Sequence, residues 1–132
     1  MVNITNEEFD ELNALSKRII DSVYQVHKIL GPGLLESAYQ KCLSVELSSR
    51  GIKNEIEVEL PLVYKNIDVD VNYRIDVLVE NRIILELKAV EKILPIHEAQ
   101  LLTYLKLSNN KLGFLINFNV KYIKEGIKRM VN

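Results

Sequence analysis

Asp76, Glu86 and Lys88 are two acids and an amine close together in the chain, a set able to hold a cation and transfer a proton. They interrupt Tyr73–Lys88, which otherwise reads as two hydrophobic strands joined by a polar turn at Glu80-Asn81-Arg82. A charge in a buried strand is costly unless it is paired or bound to a metal. Glu86 and Lys88, two apart on a strand, point to the same face. A three-residue loop pairs Val79 with Ile83 and sets Asp76 opposite Glu86, whereas a two-residue loop would send Glu86 to the other face. Two ionised carboxylates side by side repel unless they share a divalent cation. Hard oxygen ligands suit Mg²⁺ or Mn²⁺, with waters completing an octahedron at about 2.1 Å. Such an ion lowers the pKa of a bound water and offsets charge on a phosphate. Lys88 would then orient or deprotonate that water, or stabilise the transition state. From spacing alone, a salt bridge from Lys88 to Asp76 or Glu86 explains the same charges equally well.

The elements that must position these groups follow from periodicity. Thr5 with Glu8 forms a capping box, so a helix starts at about Asn6. Phe9, Leu12, Leu15, Ile19, Ile20, Val23, Val26, Ile29 and Leu30 define its buried face. Gly31-Pro32-Gly33 breaks it. His27, near its end, reads as a partly exposed histidine at the carbonyl end of the helix dipole. A second helix spans about Leu34 to Arg50, with a broad apolar stripe that includes Leu35 and Val45, and Gly51 stops it. Glu36 lies in its first turn, where the dipole favours a carboxylate, and Tyr39 shares its face. Glu55, Glu57 and Glu59 alternate with Ile56, Val58 and Leu60, a strand whose acidic side reads as a solvated sheet edge. Pro61 interrupts it, Leu62-Val63-Tyr64 resumes, and Lys65-Asn66 turns into a long strand from Val69 to Val79.

Ile83 to Val90 has the composition of a central strand covered on both faces. Pro95 suits the first turn of a third helix over Ile96 to Leu107. Leu112 to Phe118 is a further apolar strand, and Val120 to Asn132 leans to an edge strand after Gly126. The order helix, helix, three strands, helix, strand predicts one α/β domain over residues 1–132: an N-terminal helix over 1–30, a core over 34–118 and an edge segment over 119–132.

Composition narrows the classes. No apolar run reaches the roughly 18 residues needed to span a bilayer, and the start lacks the basic and apolar stretches of a secretory signal. The lone Cys42 excludes an internal disulfide and any site built on several thiolates. A cytoplasmic protein is expected. Net charge is −1, which neither demands nor forbids nucleic acid. Positive charge collects late, at Lys106, Lys111, Lys121, Lys124, Lys128 and Arg129, as a phosphate-facing surface or a solvated face.

Asp76 followed by Glu86-Leu87-Lys88 resembles the D…(D/E)xK signature of the PD-(D/E)xK nuclease superfamily, with Ile75 where a proline often stands. The element order is similar to that superfamily's αβββαβ core, the restriction-endonuclease-like mixed sheet flanked by helices, with an extra N-terminal helix. Gln100-Leu101-Leu102-Thr103-Tyr104 resembles the QxxxY pattern of its RecB-like branch, and Gly33-Leu34-Leu35-Glu36-Ser37-Ala38-Tyr39 the motif of the GxxExxY family. The resemblance implies a Mg²⁺- or Mn²⁺-dependent nuclease that hydrolyses nucleic-acid phosphodiesters, DNA favoured, with Asp76, Glu86 and Glu36 as metal ligands. Lys88 would be the catalytic lysine, with Gln100 and Tyr104 bordering the site; they lie i, i+4 on one helix face. Arg74 and His97 are second-tier candidates. A homodimer would let two such sites face two strands. The alternative is a non-catalytic module that holds nucleic acid or a protein on the same fold.

Overall fold

The computed structural model describes residues 4–132; Met1 to Asn3, the start of the stretch read as lacking a secretory signal, lie outside it. Helix α1 runs Asn6–Leu30, its Thr5 cap and Glu8 exchanging hydrogen bonds as the capping box predicts. Helix α2 is Glu36–Ser49, shorter than expected at both ends, with Leu35 and Arg50 as caps. Then follow β1 (Asn54–Tyr64), β2 (Ile67–Val79), β3 (Ile83–Lys88), helix α3 (Pro95–Ser108) and β4 (Leu112–Asn117). A short 3₁₀ turn, Ile123–Gly126, leads into β5 (Ile127–Val131), which pairs antiparallel with β4 as the expected edge strand.

The five strands lie in sequence order. All pairs are antiparallel except β3 with β4, which α3 joins by a parallel crossover. One face carries α1 and α2 over Val77, Val79, Leu85, Leu87, Phe114 and Ile116. The other carries α3, whose Leu101, Tyr104 and Leu105 pack on Ile75, Ile84 and Leu115. β3 is central and buried until Lys88, which is half-buried. This is the α/β, restriction-endonuclease-like architecture expected from the sequence. Among the described residues, no helix is long and apolar enough to cross a membrane.

Several boundaries differ, each for a physical reason. Pro61 does not interrupt β1, because an edge strand tolerates a missing N–H; the ladder shifts register between Pro61 and Val63. The first part of β2, Ile67 to Arg74, is exposed, since the β1–β2 ribbon there runs past the helices. Ile29 (67% exposed), Leu35 and Val45 leave the expected apolar stripes, while Gln40 joins the buried set of α2. His27 is buried rather than partly exposed, its Nε2 2.8 Å from the Val120 carbonyl oxygen.

Candidate functional site

The loop at Glu80-Asn81-Arg82 has the three residues that the charges require, Val79 pairing with Ile83 and Val77 with Leu85. That register sets Asp76 against Glu86. Regular pairing of β2 with β3 stops just before them, at Val77, and side chains take over. The Asp76 amide donates to Glu86 Oε2 at 2.9 Å, and the Leu87 amide donates to Asp76 Oδ2 at 2.8 Å. Each carboxylate thus satisfies a backbone donor that the sheet has abandoned.

The strands part here because β2 changes face. Val77 packs in the α1–α2 core and Ile75 in the α3 core, although residues two apart on a regular strand share a face. β1 follows: Ile56 pairs with Val77, and Val58 pairs with Ile75 and packs with the α3 core. Between them Glu57 takes a left-handed φ of 53°, an uncommon conformation for a residue with a Cβ. A crease therefore crosses both strands at Glu57 and Asp76. The simple alternation that put three charges on one flat face does not run through Asp76. Its carboxylate meets Glu86 in a fork of the sheet instead.

Backbone strain at Glu57 can be tested apart from its carboxylate, because Glu57→Gly and Glu57→Val both remove that group. Glu57→Gly should stay within ~1 kcal/mol of the parent in thermal unfolding, whereas Glu57→Val should lose ~1–3 kcal/mol, since a β-branched residue resists positive φ. Equal loss in both variants would deny the crease its left-handed hinge.

A cavity of ≈ 230 Å³ opens beside the fork, lined by Glu36, Gln40, Glu57, Asp76 and Leu87 among others. Helix α2 brings Glu36 to it through two contacts. Tyr39 Oη donates to the Gly31 carbonyl at 2.6 Å and accepts from the Leu34 amide, so it ties down the turn preceding Glu36. Gln40 Nε2 donates to the Asp76 carbonyl at 2.9 Å, docking the helix on β2. Gly33 (φ 101°) allows the tight entry into α2. The Gly33–Glu36–Tyr39 spacing has a positional meaning: the tyrosine braces the turn and presents the acid.

On the other side of the fork, Glu86 is 4% exposed and aligns with Leu115 of β4. Burial first, and the Asp76 charge second, push its carboxyl up to about 8. Asp76 is also raised, chiefly by burial, with Glu36 and Glu57 adding to it and the Leu87 amide and Lys88 opposing. Lys88 draws both acids down but forms no ion pair with either among the described residues. The locked salt bridge that would explain the charges structurally is not what the side chains do. Gln100 Nε2 donates to Tyr104 Oη at 3.1 Å, and burial and the nearby Glu86 and Asp76 charges raise the Tyr104 phenol. Gln100 and Tyr104 are therefore bonded to each other, as their i, i+4 spacing allows, with Tyr104 near the two acids. Arg74 is exposed, and His97 caps α3, its Nδ1 accepting from the Leu94 amide at 3.0 Å.

Two residues escaped the sequence. Glu57 reads as one of three alternating surface acids, and Gln40 carries no signal in the sequence. Only the carbonyl that Gln40 meets and the backbone turn at Glu57 reveal them.

Among the described residues, no three His, Cys, Asp or Glu side chains already stand close enough together to hold a metal ion. The donor set nevertheless suits a hard divalent cation. It offers a buried acid pair without a paired cation, and a third and fourth carboxylate across a small cavity. A divalent ion beside it would let Glu86 ionise where it stands.

No curated protein and no solved structure matches the chain. A family model, that of the PD-(D/E)XK nuclease superfamily, matches residues 13–130. That span takes in the fork, helices α2 and α3 and most of both cores. With nearly the whole chain covered, this protein belongs to the PD-(D/E)XK nuclease superfamily.

Proposed function

We propose that this chain hydrolyses a nucleic-acid phosphodiester, DNA favoured, using Mg²⁺ or Mn²⁺ held by Asp76 and Glu86, with Glu36 from α2 completing the ligands. The observation that carries this reading is the interlocked acid pair at the fork, where burial and the Asp76 charge push the Glu86 carboxyl up to about 8. When bound, the ion supplies an activated water and offsets charge on the phosphate.

The chain's own residues do the rest. The Asp76 amide donates to one oxygen of Glu86 and the Leu87 amide to one oxygen of Asp76, which fixes the two carboxylates against each other. Lys88, one strand step beyond Glu86, places its ammonium where negative charge develops on the phosphate oxygens. Tyr104, accepting from Gln100, keeps its own hydroxyl proton and can donate it in a hydrogen bond to a substrate oxygen. Gln40 fixes the reach of Glu36 by holding α2 on β2.

The test is a panel of single- and double-stranded DNA and RNA incubated with Mg²⁺, Mn²⁺ or EDTA. Cleavage is expected with the ions alone. Lys88→Ala should lose roughly 10²–10³-fold in rate while keeping Mn²⁺ affinity, and Asp76→Asn should lose both. Wild-type protein that neither cleaves any member nor takes up an ion would overturn the proposal. The near-neutral net charge favours a second reading, a binding module without catalysis. Nucleic-acid binding with no ion uptake in calorimetry would establish it.

A further inference from the structure

We propose that the groove between the end of α1 and the segment 121–125 is a subsite for single-stranded nucleic acid, in which unpaired bases stack on Tyr24 and Tyr122. The inference rests on the nuclease reading for what happens to the strand, but binding in the groove can be measured without it. The groove has a volume of ≈ 630 Å³, within the range of pockets that enclose a ligand of nucleotide size. Tyr24 is 43% exposed and Tyr122 60%, so both rings present a free face in the same depression. Lys121 Nζ sits 5.4 Å from the Tyr122 ring centroid and enriches one face with positive charge. Lys28 and Lys124 line the same groove.

The late cluster of positive charge seen in the sequence divides here. Lys128 pairs with Glu98, Arg129 donates to Asn13 and lies over Phe9, and Lys111 donates to the Asn132 carbonyl. Lys121 and Lys124 instead turn to the groove. Its walls are fixed. His27 holds the Val120 carbonyl, and Ile123, 6% exposed, anchors the far wall in the α1–α2 core.

The chain that walls the groove leaves β4 beside the end of β3. β3 and β4 end together at Lys88 and Asn117, and the Phe118 amide donates to the Lys88 carbonyl. The Phe118 ring stacks on Tyr39, 4.4 Å between centroids, and Tyr39 lies one helical turn from Glu36. The segment that walls the groove thus starts beside the end of β3 that carries Lys88.

The chemistry selects a single strand over a duplex. Free aromatic faces bind bases that are already unstacked, and do so with little sequence preference. A duplex hides those faces and is gripped by its phosphates. Here three ammonium groups are partly offset by Asp21 and Glu125, a weak balance for phosphate-driven binding.

The test is fluorescence anisotropy with a dye-labelled oligonucleotide as single-stranded DNA, as single-stranded RNA and as a blunt duplex, all in EDTA so that nothing is cut. One or both single strands should bind at least about tenfold more tightly than the duplex, and their ratio tells DNA from RNA. Tyr122→Ala and Tyr24→Ala should each weaken single-strand binding about tenfold without changing its salt dependence, while Tyr122→Phe retains it. Lys121→Ala and Lys124→Ala should each flatten the salt slope by roughly 0.7. Equal binding of the duplex, or alanine variants that bind as wild type, would overturn the subsite. Cleavage that survives such a result would leave the nuclease reading intact. Stacking that persists in a protein unable to cut would leave only the groove.

Discussion

Glu86→Gln should raise the thermal midpoint of the metal-free protein at pH 9 while lowering ion-dependent cleavage by roughly 10³-fold. Both effects come from one carboxyl. In the folded chain it keeps its proton up to about pH 8, whereas unfolded it ionises near 4.5. Between those values the folded state binds more protons than the unfolded one, so stability falls as pH rises. The favourable contribution is complete below about 4.5 and is lost as pH climbs through about 8. Glutamine has nearly the same shape, can still accept from the Asp76 amide and never ionises. The variant should therefore match wild type near pH 5 and exceed it by on the order of 5–10 °C at pH 9.

Saturating Mn²⁺ should reverse the order, because the cation favours the ionised acid of the wild type and gains little from an amide. Ion uptake at pH 7 should also release close to one proton, read from calorimetry in buffers of different ionisation heat. Melting curves that coincide at pH 9 without metal, or a variant that still cleaves, would refute the assignment of Glu86. Stability and the proposed chemistry thus compete at this residue, a conflict expected where a fold keeps a charged site at its centre.

The sequence carried the hairpin register because only an odd loop lets Val79 and Ile83 pair while keeping Asp76 against Glu86. It carried β3 and β4 because Ile83-Ile84-Leu85 and Leu112 to Phe118 contain little that water would accept. The crease was not legible. A left-handed backbone at Glu57 has no sequence signal when the residue is not glycine or asparagine, so simple alternation runs straight through it. Gln40 was hidden for a related reason: a buried amide is announced only by the carbonyl it meets across the fold. The exposed start of β2 shows a further limit. Ile67, Val69 and Val71 record a preference for extended backbone, and that pattern says nothing about whether a helix covers it.

Gly126→Ala should cost ~2–4 kcal/mol, a fall on the order of 10 °C in the thermal midpoint, although the added group is one methyl. A Cβ at Gly126 would lie 2.1 Å from the Asn117 carbonyl oxygen and 3.1 Å from a Val120 methyl. The nearest obstacle is backbone, so no rotamer change can relieve it. The 3₁₀ turn must instead lift from the end of β4. Asn117 cannot simply retreat, because its side chain accepts from the Val90 amide and donates to the Val90 carbonyl, both at hydrogen-bond distance. Those bonds hold the chain just past Lys88. Displacing Asn117 therefore moves the end of β3 as well as the wall that carries Tyr122. The variant should lose single-strand binding and cleavage together at temperatures where it remains folded, whereas Tyr122→Ala loses the binding and keeps its midpoint. A Gly126→Ala protein that melts like wild type would mean that the turn is loosely seated, and that the groove has no fixed wall on which a base could stack.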